Sequence, residues 1–292
     1  MPRLITDAFL RRWPLPILDK GGSKEHRGRV LIIAGAAEMP GAAILASTAA
    51  LRAGCGKARV ATVEAVAIGV GCAVPEIFVL PIAAAGRRRN QTLRAIMDSA
   101  NKADAVLIGP GMRDTDAIRY LLPRLVRLES LSALVIDATG LSVLAGLRLP
   151  ASGFKCPLIL TPHHSEAATL CNIATEKISG APLRYARDIA DRFNAIVVLK
   201  GAETLICSAG AKADAYLNKH GNAGLATAGS GDVLAGIVTG LAARGADSLQ
   251  AAVWGVALHA RAGERASRKI GSLGYLAREL TDEIPRLLDL LS

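Results

Sequence analysis

Gly229-Ser230-Gly231-Asp232 is the stretch of this 292-residue chain whose residue types and spacing most plainly suit chemistry. Small residues crowd the segment before it, and an apolar pattern at Val233, Leu234, Ile237, Val238 and Leu241 follows, so a loop feeds a helix here. Backbone without bulky side chains at such a junction lets N–H groups of Gly229, Ser230 and Gly231 point at an anion, with the helix dipole adding positive potential. Asp232 then falls in the first helical turn. A carboxylate there can cap the helix. Beside an anion site it can instead take a proton from a hydroxyl while that hydroxyl attacks the bound phosphate. The four residues alone leave both readings open.

The segments that must position this junction form a repeating pattern. Val30–Ile33 is a short β-branched run ending near Gly35, followed by a Pro40-Gly41 turn and an alanine-rich helix from Ala42 to Ala53. ARVATV, PEIFVLPI, AVLIG, ALVIDA, LILTP and AIVVLKG then supply further apolar runs, separated by helical segments such as the one through Ile118, Leu121, Leu122 and Leu125. Continuous apolar strands alternating with helices predict an α/β architecture of three layers, a mostly parallel central sheet with helices on both faces. The TLIC and DAYLN pieces predict a short antiparallel extension, and helices are expected over about 248–268 and 276–291. No linker, low-complexity tract or repeat divides the chain, so residues 1–292 read as one domain.

Composition narrows the function classes. Half the residues are hydrophobic, enough for a sizeable core, while only 3% are aromatic, too few for a nucleic-acid stacking platform. Five cysteines, widely spaced and without a CxxC pair, read as small buried hydrophobes in a reducing cytoplasm. The N-terminal stretch has arginines at both ends and a Trp-Pro break, which does not suit a signal peptide. Ala65–Ala85 is very apolar, but Pro75, Glu76 and Pro81 interrupt it, so no membrane span is expected. The net charge of +10 suits a handler of phosphates. Its densest run, Arg87-Arg88-Arg89, reads as a solvated loop, and KGGSKEHRGR before the strand at Val30 as a basic lead-in.

Polar residues just after parallel strands gather along one sheet edge, where ligands bind. Residues 35–42, 109–111, 137–140, 161–166, 200–204 and 222–232 are therefore expected to face one crevice.

Taken together, TPHHSEAATL, IVVLKGAETLIC and GNAGLATAGSGDVLAGIVTGLAARG resemble, in order and spacing, the ADP/ATP-dependent NAD(P)H-hydrate dehydratases, which have a ribokinase-like fold. GRVLIIAGAAEMPGAAILASTAALRAG, the VPEI near Glu76 and VLIGPGM extend the similarity over about residues 28–245. The resemblance implies repair of hydrated NADH or NADPH (NADHX or NADPHX). Water added at carbon 6 of the nicotinamide ring would be removed at the expense of ADP or ATP with Mg2+, by phosphorylation of the hydroxyl and loss of phosphate.

Carried over by position, Asp232 would be the base, and the Gly229, Ser230 and Gly231 segment the anion hole. Lys200, Gly201, Ala202, Glu203 and Thr204, with Gly231, would hold the adenine nucleotide. Ala42, Gly111, His163 and Asp232 would contact the hydrated dinucleotide. Glu166 would support a helix start, and His164 stands where the family usually has proline. The family's Asp-Ala-Asp is Asp137-Ala138-Thr139 here, which puts a hydroxyl where a carboxylate could have helped hold metal. Ala228 replaces the usual glycine and requires a negative φ.

A kinase for a vitamin-precursor or sugar alcohol would use the same anion hole and base; the TPHxxE and GNxGxATxGSGD combination favours the dehydratase. A separate NAD(P)H-hydrate epimerase, a homotetramer, a cytoplasmic location and no nucleic-acid or membrane partner complete the expectation.

Overall fold

A computed structural model describes residues 1–17, 27–147, 154–210 and 214–291; most of the basic lead-in KGGSKEHRGR lies outside them. In chain order the elements are β1 (Arg3–Leu4), α1 (Asp7–Arg11), β2 (Arg29–Ile33), α2 (Gly41–Arg52), β3 (Lys57–Val63), α3 (Glu64–Ala73), β4 (Ile77–Ile82) and α4 (Gly86–Ala100). Next come β5 (Ala105–Ile108), α5 (Thr115–Leu125), β6 (Ala133–Ile136), α6 (Thr139–Gly146), β7 (Leu158–Leu160), α7 (His164–Cys171), α8 (Thr175–Gly180) and α9 (Pro182–Phe193). The chain continues with β8 (Ala195–Leu199), β9 (Thr204–Cys207), β10 (Ala215–Asn218), α10 (Ser230–Ala243), α11 (Ser248–Lys269) and α12 (Ala277–Leu291).

The ten strands form one sheet in the order β1-β10-β9-β8-β7-β6-β5-β2-β3-β4. The strands from β2 to β8 pair in parallel, and β9 runs antiparallel to both β8 and β10, as the TLIC and DAYLN pieces foretold. Each central strand splits its side chains between two cores. Val30, Ile32, Ala105, Leu107, Ala133 and Val135 join the core under α2, α10, α11 and α12. Their alternating neighbours Leu31, Ile33, Val106, Ile108, Leu134 and Ile136 join the core under α4, α5, α7 and α9. Period-two alternation with both faces apolar is what buries a parallel sheet between two helical layers.

The chain leaves β2 toward β3 and β4 on one side, then returns to place β5 on the other. Such a switch point opens a crevice at the carboxyl ends of the strands. Pro81, which lacks an N–H to donate, sits in β4 at the rim of the sheet, where a missing donor is tolerated.

Two readings change. Arg87-Arg88-Arg89 is not a loop: it forms the first turn of α4, with Arg88 2.6 Å from Glu64 and Arg89 2.7 Å from Asp114. Carboxylates on neighbouring elements neutralise charges that otherwise oppose a helix N-terminus. The N-terminal stretch, which carried no strand signal, supplies β1, paired in parallel with β10 (Arg3↔Tyr216). Among the described residues no helix is long and apolar enough to cross a membrane, and the apolar 65–85 stretch divides between α3 and β4.

Candidate active site

The N-terminus of α10 is built by close packing. Gly236 and Gly240 face α2 so closely that a Cβ on Gly236 would land on the Ala46 carbonyl oxygen, and one on Gly240 would lie 2.5 Å from that of Ala50. The two helices therefore run nearly in backbone contact, and their N-termini share one end of the crevice. Gly229 caps α10 with φ 87°, a left-handed conformation that favours glycine. Ala228, by contrast, is not among the residues with positive φ, so its Cβ is accommodated. The Ser230 N–H is engaged by the Thr227 carbonyl at 3.2 Å. The first-turn amides of Gly231 and Asp232 are thus the donors best placed for an anion.

Asp232 lies among charges delivered by three other strand ends. Asp137 follows β6 and is 2% exposed; its Oδ1 accepts from Thr161 Oγ1 at 2.7 Å and from Lys200 Nζ at 3.0 Å. Lys200 follows β8 and also lies 3.8 Å from Glu166 Oε2. Burial alone would lower the lysine's pKa, but Asp137, Glu166 and Asp232 outweigh it and keep the ammonium charged. Burial and the Asp137 charge push the Asp232 carboxyl up to about 7, against the pull of Lys200. A carboxylate poised there accepts a proton at neutral pH far more readily than an exposed aspartate.

A strained turn holds Asp137. Ala138 has φ 48° and ψ −122°, and Gly140 N–H donates to the Asp137 carbonyl at 2.9 Å, closing a type II′ turn whose first central position favours glycine. Thr139 Oγ1 donates to the Met112 carbonyl at 2.6 Å, so the hydroxyl that replaces the family's second carboxylate ties this turn to the segment after β5.

His163 and Glu166 form a reciprocal capping box at the start of α7: Glu166 Oε2 accepts from His163 N–H at 2.8 Å, and Glu166 N–H donates to His163 Nδ1 at 3.2 Å. Because Nδ1 accepts, a neutral His163 ring carries its proton on Nε2. His163 also lines the main cavity, so capping and ligand contact are compatible. His164 is tied to Ser179 at 2.9 Å.

A cavity of about 780 Å³ opens beside the α10 N-terminus, within the size of small-molecule sites. Lys200, Gly201, Ala202, Thr204, Ser230 and Gly231 line it, alongside His163. Glu203 does not; it pairs with Lys219 at 3.3 Å, and both side chains are exposed. Ala42 and Gly111 lie outside its wall and against each other, where a Cβ on Gly111 (φ 61°) would come within 2.5 Å of that of Ala42. Gly229 would clash with Leu45 of α2 if it carried a Cβ. The α10 N-terminus thus meets α2 at Gly229 and lies close to Lys200 at Gly231.

Sequence reasoning missed His259, Asn218 and His220, all in the cavity wall. His259 Nε2 is 2.9 Å from Ser230 Oγ, and burial with Lys200 nearby pushes the imidazole down to about 4, so it is neutral at working pH. A lone histidine in the middle of a helix carries no spacing signal. Asn218 ends a strand, where nothing in its neighbours marks it.

The NAD(P)H-hydrate dehydratase family model matches residues 30–286. The chain belongs to that family. It is 43% identical to the ADP-dependent (S)-NAD(P)H-hydrate dehydratase of Xanthomonas campestris, covering 99% of this chain and 97% of that protein. It is 38% identical to a bifunctional NAD(P)H-hydrate repair enzyme of Moorella thermoacetica, covering 98% of this chain but 54% of that protein. The crystal structure of ADP/ATP-dependent NAD(P)H-hydrate dehydratase from Bacillus subtilis, co-crystallised with ATP/Mg2+, superposes with a TM-score of 0.85 at 28% identity, covering 100% and 99% of the two chains. The three-layer sheet is the ribokinase-like fold that the motifs imply.

Proposed function

We propose that this family member restores NADH and NADPH by ADP- or ATP-dependent dehydration of the S epimer of their hydrates, a hydro-lyase reaction of metabolite repair. The observation that carries the reading is Asp232, a carboxylate with its pKa raised to about 7, behind the first-turn amides of α10 and beside a cavity of nucleotide size.

In this reading the adenine nucleotide occupies the main cavity along Lys200, Gly201, Ala202, Thr204 and Gly231, with Glu203 at its outer rim. The hydrated nicotinamide approaches from the Ala42 and Gly111 end, with His163 donating from Nε2. Asp232 takes the proton of the carbon-6 hydroxyl as its oxygen bonds to the terminal phosphorus, and the bond to the nucleotide's bridging oxygen breaks. The Gly231 and Asp232 amides, with the Ser230 hydroxyl, stabilise the phosphoryl group in transfer. Phosphate then leaves from carbon 6 with its bonding pair, and a proton leaves the adjacent carbon to form the ring double bond. Lys200 screens the charge that gathers between Asp137 and Asp232.

Mg2+ is implied by the ATP/Mg2+ complex of the Bacillus subtilis relative. Among the described residues no three His, Cys, Asp or Glu side chains come together as a metal cage. Asp137, the buried carboxylate that the mechanism does not use as a base, fits an ion that takes one or two protein oxygens and completes its shell with phosphates and water. It would hold the ion, which would neutralise phosphate charge.

Further parts of the proposal are a single domain, a cytoplasmic location, a separate epimerase and a homotetramer. Free cysteines, three of them buried, support a reducing compartment. The match to the Xanthomonas dehydratase over 97% of its length, against 54% of the bifunctional Moorella enzyme, supports a separate epimerase.

The test follows absorbance at 340 nm as purified protein meets NADHX with Mg2+ and ADP, ATP or no nucleotide. A nucleotide-dependent rise is expected. No rise with either nucleotide, together with ATP consumption on vitamin-precursor alcohols, would move the chain to the kinases of this fold.

A further inference from the structure

Thr139 is the one side chain among the described residues that hydrogen-bonds the backbone of the Gly109-Pro110-Gly111-Met112 turn: its Oγ1 donates to the Met112 carbonyl at 2.6 Å. The direction of that bond is fixed, since a carbonyl can only accept. Such a turn needs holding. Gly109 and Gly111 take φ of 120° and 61°, and glycine loses more conformational freedom on folding than any other residue. Backbone bonds fix the near end, where Gly109 N–H donates to the Ile33 carbonyl at 3.1 Å and Gly35 N–H to that of Pro110 at 2.8 Å. Beyond Gly111 the chain is held by the buried Met112 side chain, by the Met112 N–H on the Gly109 carbonyl at 3.1 Å, and by Thr139.

Two neighbouring segments press on this turn. On one side a Cβ on Gly109 would land 2.0 Å from the Asp137 carbonyl oxygen, and one on Gly140 would lie 2.8 Å from that of Ile108. On the other side a Cβ on Gly111 would lie 2.5 Å from that of Ala42 and 3.2 Å from the Met39 carbonyl oxygen. Gly111 and Thr139 themselves are half-buried, so this edge of the crevice is open to a ligand. The geometry points to Thr139 as a positioning residue for the hydrate, its hydroxyl setting the Gly111 backbone against which the hydrated nicotinamide lies. This inference rests on the proposed function, in which the hydrate enters at the Ala42 and Gly111 end. One turn then serves two ligands. Asp137 is held by Thr161 and Lys200, on the nucleotide side, independently of Thr139. Thr139, two residues on, reaches the other way. Without its hydroxyl the Met112 carbonyl is free to swing toward water, and Gly111, with no side chain to resist, follows it while Asp137 stays.

Steady-state kinetics of the whole protein, varying NADHX at saturating ADP and then ADP at saturating NADHX, test this. Thr139→Val keeps the shape but removes the donor. It should raise KM for NADHX about three- to tenfold, the loss expected for one hydrogen bond, with KM for ADP and kcat within about twofold of wild type. Thr139→Ser keeps the donor and should restore KM for NADHX. A KM for NADHX within about twofold of wild type in Thr139→Val, an equal rise in both KM values, or no recovery in Thr139→Ser would overturn the inference. The bond would then serve only the fold around Asp137. If Thr139→Val does not fold, Thr139→Cys, of similar size and only a weak donor, is read by the same criteria. An active wild type with a flat variant series sinks only this inference, whereas wild-type inactivity with both ADP and ATP sinks the function it rests on.

Discussion

Asp232 is tuned against its own stability. Its raised pKa means that the folded chain holds this proton more tightly than the unfolded chain, in which an aspartate titrates near its model value of 3.8. The contribution to stability is therefore present below about pH 4 and is lost as pH rises to about 7. Asp232→Asn should raise thermal stability at pH 8 by about 1 to 2 kcal/mol, with the gain vanishing near pH 4, as read by melting curves across pH. The same substitution should lower kcat by about 10²-fold or more while leaving ADP affinity within about threefold; near-normal turnover would remove Asp232 from the role of base. In wild type, kcat/KM should fall as pH drops through about 7, because the base is then protonated. His259 works in the opposite sense. Its pKa is pushed below the unfolded value of 6.5 to about 4, so its contribution is complete above 6.5 and is lost as pH falls toward 4. His259→Gln should flatten the acid side of the stability profile, and an unchanged acid limb would show that other groups govern it.

At the scale of elements, the α2–α10 seam sets where Asp232 sits. Alanine normally stabilises a helix over glycine by about 1 kcal/mol. At Gly236 the new methyl group would meet the backbone of Ala46 rather than a flexible side chain, and overpacking costs about 1–3 kcal/mol. The net expectation for Gly236→Ala is a loss of stability with a fall in kcat, since the Asp232 end of α10 shifts with the helix. A gain in melting temperature at full activity would mean that the seam yields. The elements that frame this seam were legible in sequence because parallel strands buried on both faces are unbroken apolar runs, and alanine-rich spans between glycines read as helices. Arg87–Arg89 was misread because its counter-charges, Glu64 and Asp114, lie on other elements. β1 has two residues, too few for any period to show. The motifs gave the site's strand ends, but Asn218, His220 and His259 enter it through tertiary packing that leaves no local mark, and Glu203 turned outward to Lys219.

For the molecule as a whole, the net charge of +10 acts on ligands that carry several negative charges. Long-range attraction weakens as salt shortens the screening length, from about 10 Å at 0.1 M to about 3 Å at 1 M. KM for ADP and for NADHX should rise with ionic strength while kcat changes little; a flat KM would mean that only contacts within the cavity matter. The rims of the ten-stranded sheet have a different consequence, for handling rather than for catalysis. One rim is the two-residue β1 and the other is β4 with Pro81 in it, so neither offers an unbroken ladder to a stray strand. Pro81→Val would restore a donor along a six-residue apolar border. Concentrated stocks of that variant should turn turbid on storage while the parent stays clear, which would make one imino acid the guard of the protein's shelf life.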